Sequence, residues 1–244
     1  PVYEFLGGKV RDKLKVYSWI GGDRPNNVAE EAKQRFDQGF TAVKMNATEE
    51  LHYIDSYEKV DQVLERMNSI KELLGKKILI KELEPFRPMF IEEPVLPENW
   101  DAIIDTAKNS PIPIATGERL STRWEFKRLF NNNSVDIIQP DVALAGGILE
   151  TRKIAAAAEM YDIAVAPHAP YGPVALAATL QLDMCTPNVF IQEQSLGIHY
   201  NKGFDLIDFV KNKEIFMFKD GYLDVPEKPG LGIEIDEELV KKVS

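Results

Sequence analysis

Five short apolar runs in the middle of the chain each carry a polar residue at or beside their C-terminal end: MFIEEPV has Glu92, IPIATGE has Glu118, VDIIQPD has Asp141, IAVAPHA has His168 and VFIQEQS has Glu193. These residues follow one another at intervals of 26, 23, 27 and 25. A strand, a returning helix and the two loops that join them need about 25–30 residues. A chain that repeats this length four times, with a polar residue at the same phase each time, is building parallel strands whose ends converge on one place.

Two further strand candidates precede the five, KVYSWIG at 15–21 and TAVKMN at 41–46. Amphipathic stretches separate the strands: NVAEEAKQRFDQG, YEKVDQVLERMNSIKELLG, NWDAIIDTAKN, TRWEFKRLFNN, ILETRKIAAAAEMYD and PVALAATLQLDM. Repeated βα units place the chain in the α/β class. An open doubly wound sheet would need a Gly-rich phosphate loop after the first strand, and IGGD is too short for one. The expected fold is therefore a TIM-type (β/α) barrel, with its chemistry at the C-terminal mouth. The count stops at seven strands. Between Asn46 and Glu92 there is room for two units, yet KKILIKELEPFRP shows no proper strand and loop near Lys77 and Ile78. One unit is expected to be missing.

The boundaries expected are 1–14 as the end of an N-terminal capping domain, 15–195 as the barrel and 196–244 as a C-terminal return segment. In that segment FDLIDFVKN reads as helical, IFMFKDGYLDV as a hairpin turning at Asp220 and Gly221, and GLGIEID as a strand-like tail.

A net charge of −10 and a pI of about 5.0, with no basic cluster to override them, argue against nucleic acid and anionic membrane as partners and favour a small molecule. The single cysteine, Cys185, rules out an internal disulfide and reads as a buried thiol beside Leu182 and Met184. No apolar run reaches the roughly 18 residues of a membrane span, and PVYEFLGGKVRDKL lacks the unbroken apolar segment of a signal peptide. The expected compartment is the cytoplasm.

Glu92 and Glu118, delivered by successive strands, are hard-oxygen ligands suited to Mg²⁺, although pairing with Lys or Arg would explain them equally well. Strand alternation lets only one of the adjacent Glu92 and Glu93 face inward. Asp141 and His168 end the next two strands. A carboxylate behind an imidazole fixes its tautomer and raises its basicity, as a proton-abstracting base requires. Glu193 could hydrogen-bond a developing enol, but Gln192 and Gln194 beside it admit a merely water-facing strand end. Lys44 and Asn46 share a strand face and could reach a bound anion. His199, in GIHYNKG, lies near enough the mouth to touch substrate, whereas His52 reads as a surface residue. Gly146 and Gly147 suit a tight βα turn or an anion at a helix start.

Taken in order, KVYSWIGGDRP, VKMN, FIEEPV, GERL, IIQPDVALAGGI, APHAPYGPVALAA and IQEQSLGIHYNKG resemble the D-galactonate dehydratase group, in the mandelate racemase branch of the enolase superfamily. The resemblance implies an enzyme that removes water from an aldonate to give a 2-keto-3-deoxy acid. It implies Mg²⁺ held by strand-end carboxylates, of which Glu92 and Glu118 match two, and a His168–Asp141 base with the metal stabilising the ene-diolate. Glu193 matches the acid that hydrogen-bonds near the intermediate. Lys44, Asn46 and His199 become expected substrate contacts, and a homo-oligomer is expected. A related enzyme acting on another aldonate, and a catalytically silent barrel, remain alternatives.

The family's third metal ligand and its general-acid histidine form a D-x-H motif on the third strand, and no D-x-H occurs in this sequence. The expectation is that these residues belong to a longer enzyme. The chain as it stands is expected to bind Mg²⁺ very weakly and not to complete the dehydration.

Overall fold

The computed structural model describes residues 1–20, 28–47, 57–74, 88–132, 134–195 and 205–243. Its longest strand, β1 (Lys13–Ile20), reads KLKVYSWI and is buried along nearly all of its length after Lys13. β-branched and aromatic side chains of this kind suit a strand covered on both faces. β1 pairs in parallel with β2 (Val43–Met45) on one edge and with β7 (Gln192–Gln194) on the other. A second sheet holds β3 (Ile91–Glu92), β4 (Ile114–Thr116), β5 (Ile137–Ile138) and β6 (Ala164–Val165), all parallel and in that order. Val165 bridges in parallel to Val189, just before β7, and so joins the two sheets.

Seven parallel strands thus run round an arc in the order β2, β1, β7, β6, β5, β4, β3, and each of the seven expected segments overlaps one of them, β1 starting two residues early at Lys13. The arc's ends are β2 and β3. No strand lies between them among the described residues, and Lys77 and Ile78, where an eighth was sought, fall outside those residues.

After a short first helix, α1 (Val2–Phe5), helices α2 (Val28–Asp37), α3 (Tyr57–Leu74), α4 (Trp100–Asn109), α5 (Arg123–Asn132), α6 (Ile148–Glu159) and α7 (Pro173–Met184) fall within the six amphipathic stretches. α5 buries Phe126, Leu129 and Phe130, and α6 buries Thr151, Ile154, Ala155 and Ala158, each at the i, i+3, i+4 spacing that gives a helix one apolar face. The main core lies where these faces meet the outer side of the strands, around Phe126, Leu129, Ile138, Ile154, Leu176 and Leu180. Burying each such side chain contributes about 1.5–3 kcal/mol. Cys185 belongs to this core, as expected of an inert thiol. No described helix is long and apolar enough to cross a membrane.

The expected hairpin forms from β8 (Phe218–Lys219) and β9 (Tyr222–Asp224). Asp220 and Gly221 both take positive φ, 53° and 78°, as the tightest hairpin turns demand. β9 pairs antiparallel with Lys13–Lys15 of β1. The Val16 N–H donates to the Gly221 carbonyl and the Ser18 N–H to that of Ala42, so the hairpin lies on the β2 edge of β1, toward the N-terminal ends of the strands.

Two expectations for the C-terminal segment need correction. FDLIDFVKN was expected to be helical, but only a 3₁₀ turn forms, Leu206–Phe209. Asp205 and Asp208 cap each other's backbone, and Val210 then bridges antiparallel to Ile235, which ends the helical path. GLGIEID makes only that bridge and leads into a helix absent from the expectation, α8 (Glu237–Val243).

Candidate active site

Strand alternation sets Ala42 and Lys44, Phe90 and Glu92, Ile137, Gln139 and Asp141, Ala164, Ala166 and His168, and Ile191 and Glu193 on the inner face of the arc. The apolar members pack with Tyr17 and Ala115 into a small inner core, with Phe90 and Phe190 against it. Tyr17 meets Phe90 edge-on at 6.4 Å, and Phe90 meets Phe190 edge-on at 6.2 Å, so three aromatic rings fill the lumen. The polar members come next along each strand and form a ring on this apolar floor.

On one side of the ring His168 Nδ1 lies 2.8 Å from Asp141 Oδ2, and the other oxygen of Asp141 accepts the Ala143 N–H at 2.7 Å. Asp141 is fully buried, and the imidazole nearly so. His168 Nε2 is turned toward Glu118 Oε2 at 3.2 Å and Glu193 Oε2 at 4.0 Å. Burial disfavours the imidazolium, but the bond to Asp141 and the charges of Glu193 and Glu118 outweigh it and hold His168 above its ordinary value. The loop carrying His168 is clamped by β7: Gln192 Nε2 donates to the Pro167 carbonyl at 3.1 Å, and the Ala169 N–H donates to Glu193 Oε2 at 3.1 Å. Tyr171 stands edge-on to the imidazole at 5.7 Å.

On the other side Lys44 Nζ donates to Glu92 Oε1 at 2.6 Å and to Glu193 Oε1 at 3.2 Å. Glu92 Oε2 accepts from Gln139 Nε2 at 2.8 Å. Burial works against the Glu92 charge, yet Lys44 prevails and holds this carboxyl below its usual range. Glu118 is pushed up by burial and by Glu92, within hydrogen-bonding reach, although His168 pulls the other way. Glu93 turns away from Glu92 with a left-handed φ of 43° and pairs with Arg119 at 3.5 Å; burial and Glu118 raise it to about 7. Gly117 delivers Glu118 at φ 130°, and its backbone passes so close to α5 that a Cβ would stand 2.8 Å from the Phe126 ring.

The structure therefore brings together His168, Asp141, Glu193, Glu92, Glu118 and Lys44. Asn46 lies just past β2 and is exposed, and His199 and His52 fall outside the described residues. Gly147, at φ 86°, precedes α6 in a tight turn closed by its N–H on the Val142 carbonyl. Gln139 and Gln192 were not singled out as site residues, and Gln192, admitted as water-facing, is fully buried. The signal for Gln139 was its alternation with Ile137 and Asp141.

Residues 76–239 match the Enolase C-terminal domain-like family. The chain is 50% identical over 257 residues to D-galactonate dehydratase of Pectobacterium atrosepticum and 48% identical to that of Ralstonia pickettii, each match covering 98% of this chain and 67% of the relative. The chain belongs to the enolase superfamily, in its D-galactonate dehydratase group. It spans about two thirds of the length of these curated relatives. Among solved structures, an enolase from Agrobacterium radiobacter bound to Na and L-malate superposes with a TM-score of 0.84 at 32% identity, covering 99% of this chain and 69% of that one. A mandelate racemase/muconate lactonizing enzyme from Jannaschia sp. CCS1 gives 0.84 at 27% identity, covering 99% and 68%. The arc of seven strands is thus the barrel domain of this superfamily.

Proposed function

We propose that this site belongs to a dehydratase of acid sugars, with D-galactonate as the first substrate to test, and that His168 takes the proton α to the substrate carboxylate. The observation that carries the reading is the imidazole held at Nδ1 by a fully buried Asp141, with Nε2 left to face the ring of carboxylates. Asp141 keeps a proton on Nδ1, so the proton from carbon is accepted at Nε2, while the β7 clamp on Pro167 and Ala169 fixes where that nitrogen points. In this reading Glu193, whose Oε2 accepts the Ala169 N–H, hydrogen-bonds the enol oxygen.

Enzymes of the superfamily use Mg²⁺. Here Glu92 and Glu118 crowd each other closely enough to raise Glu118, and a cation shared between them relieves that repulsion. Mg²⁺ is often held by only two protein carboxylates, with water and substrate completing its shell, so this pair would hold it. Bound there, it would offset the second negative charge that proton removal places on the substrate carboxylate. Among the described residues no group of three or more His, Cys, Asp or Glu is arranged around a metal position. No described residue matches the family's general-acid histidine, so proton abstraction is the step this chain's own residues account for.

The test follows the C2 proton of D-galactonate in D₂O by NMR with Mg²⁺ present, alongside a panel of other aldonates and an assay for 2-keto-3-deoxy acids. Exchange with D-galactonate is the expected result. No exchange and no product with any aldonate would sink the reading.

A further inference from the structure

Lys44 is the only described residue that joins the two ends of the arc by a side-chain ion pair inside the mouth. It reaches from β2 to Glu92 on β3, and it also touches Glu193 on β7. Its side chain is 19% exposed, so the ammonium has exchanged most of its water for carboxylate oxygen. The two oxygens of Glu92 are not equivalent. Gln139 holds Oε2 at 2.8 Å, whereas Lys44 holds Oε1 at 2.6 Å, on the charged side of the ring.

We propose that Lys44 is an internal competitor for the divalent cation at Glu92, poised so that the ion takes Oε1 only as the ammonium withdraws to Glu193. This rests on the reading of Glu92 and Glu118 as the cation's ligands. Two positive charges on one carboxylate oxygen repel strongly in a site this dry, so both do not occupy Oε1 together. The ammonium has somewhere to go, because Glu193 Oε1 is already within 3.2 Å and the four-carbon stem bends easily. Without the metal, Lys44 keeps the buried carboxylates neutralised; with it, the same charge is delivered toward Glu193 and the substrate carboxylate.

Mn²⁺ binding to the purified chain, followed by electron paramagnetic resonance of the free ion, tests this without any turnover. Lys44→Gln and Lys44→Met are each expected to tighten Mn²⁺ binding tenfold or more. Lys44→Arg, which keeps the charge, is expected to leave it weak. Lys153→Gln removes a cation from α6, where it pairs with Glu150 outside the ring, and is expected to change the affinity less than threefold. An unchanged affinity in whichever neutral Lys44 variant folds would overturn the proposal, and so would Lys153→Gln matching its gain, since net charge alone would then account for it. Mn²⁺ bound by no form would remove the ligand reading of Glu92 and Glu118 as well, whereas binding that Glu118→Gln abolishes and Lys44→Gln leaves unchanged would remove only the competition.

Discussion

The mouth of the barrel and its underside each hide an aspartate completely from solvent, and the two are treated in opposite ways. At the mouth, both oxygens of Asp141 have partners, the Ala143 N–H and His168 Nδ1. On the underside, Asp183 sits at the end of α7 with neither carboxyl oxygen hydrogen-bonded. Its neighbour Arg11 lies just before β1 and gives its guanidinium to carbonyls instead, those of Asp183, Thr186, Pro187 and Val189. A buried acid by itself therefore says little. One whose charge is satisfied and directed at a second titratable group points to chemistry, whereas one left without partners bears on stability, in keeping with the division between the two faces of such barrels.

The largest effect expected from breaking this contrast lies at the mouth. His168→Asn keeps a polar side chain there but removes the proposed base, and C2 proton exchange with D-galactonate should fall about 10³-fold. Next comes Asp141→Asn, which leaves the imidazole without its buried charge and should lower exchange about 10²-fold. Its pH profile is the sharper test. A base must be neutral to accept a proton, so exchange in the unmodified chain is lost as pH falls through the raised value of His168. Removing the Asp141 charge should move that limb to lower pH, and a limb that stays in place would mean that Asp141 does not act through His168.

The same contrast explains what could be read from the chain alone. Asp141 and His168 end consecutive strands, so chain order made them neighbours once the 25-residue rhythm was recognised. Lys44 and Glu92 stand 48 residues apart and meet across the open side of the arc, where no rhythm predicts adjacency; strand parity puts Lys44 and Asn46 on one face, within reach of a bound anion, but does not put Lys44 on Glu92. Gln192 was obscured for another reason. A polar residue in a strand suggests water unless a backbone carbonyl needs it, and the carbonyl of Pro167 becomes its partner only when β6 and β7 come side by side. The helix α8 was legible in principle, since EELVKKV puts its acids first and its lysines last, as the helix dipole favours, and Glu237 pairs with Lys241.

On the underside, Arg11→Met should lower folding stability by about 2 kcal/mol, because four carbonyls at the end of α7 and the start of the β7 segment lose a charged donor together. Urea unfolding measures this. The mouth should be spared, so C2 exchange at a temperature where the variant is folded should remain within about threefold. A larger loss of exchange would mean that the two faces are coupled through β7, and the contrast would fail.

The smallest effect, and the only gain in stability, is expected from Asp183→Asn. Burial raises this carboxyl well above its usual range, and Arg11 offsets only part of that. The folded chain therefore keeps a proton on Asp183 at a pH where the unfolded chain, whose carboxyl ionises near 3.9, has lost it. Over that window the folded state binds more protons than the unfolded one, so stability falls as pH rises. An amide in the same place does not titrate. Asp183→Asn should therefore match the unmodified chain near pH 3.5 and gain on it as pH rises. At neutral pH its advantage should be about 1 kcal/mol, because the amide is itself a buried polar group that lacks partners and so offsets part of the benefit. Urea midpoints between pH 3.5 and 8 give the test. An advantage that does not grow with pH would mean that Asp183 is ionised in the fold, with Arg11 as the counter-ion that its hydrogen bonds to carbonyls otherwise hide.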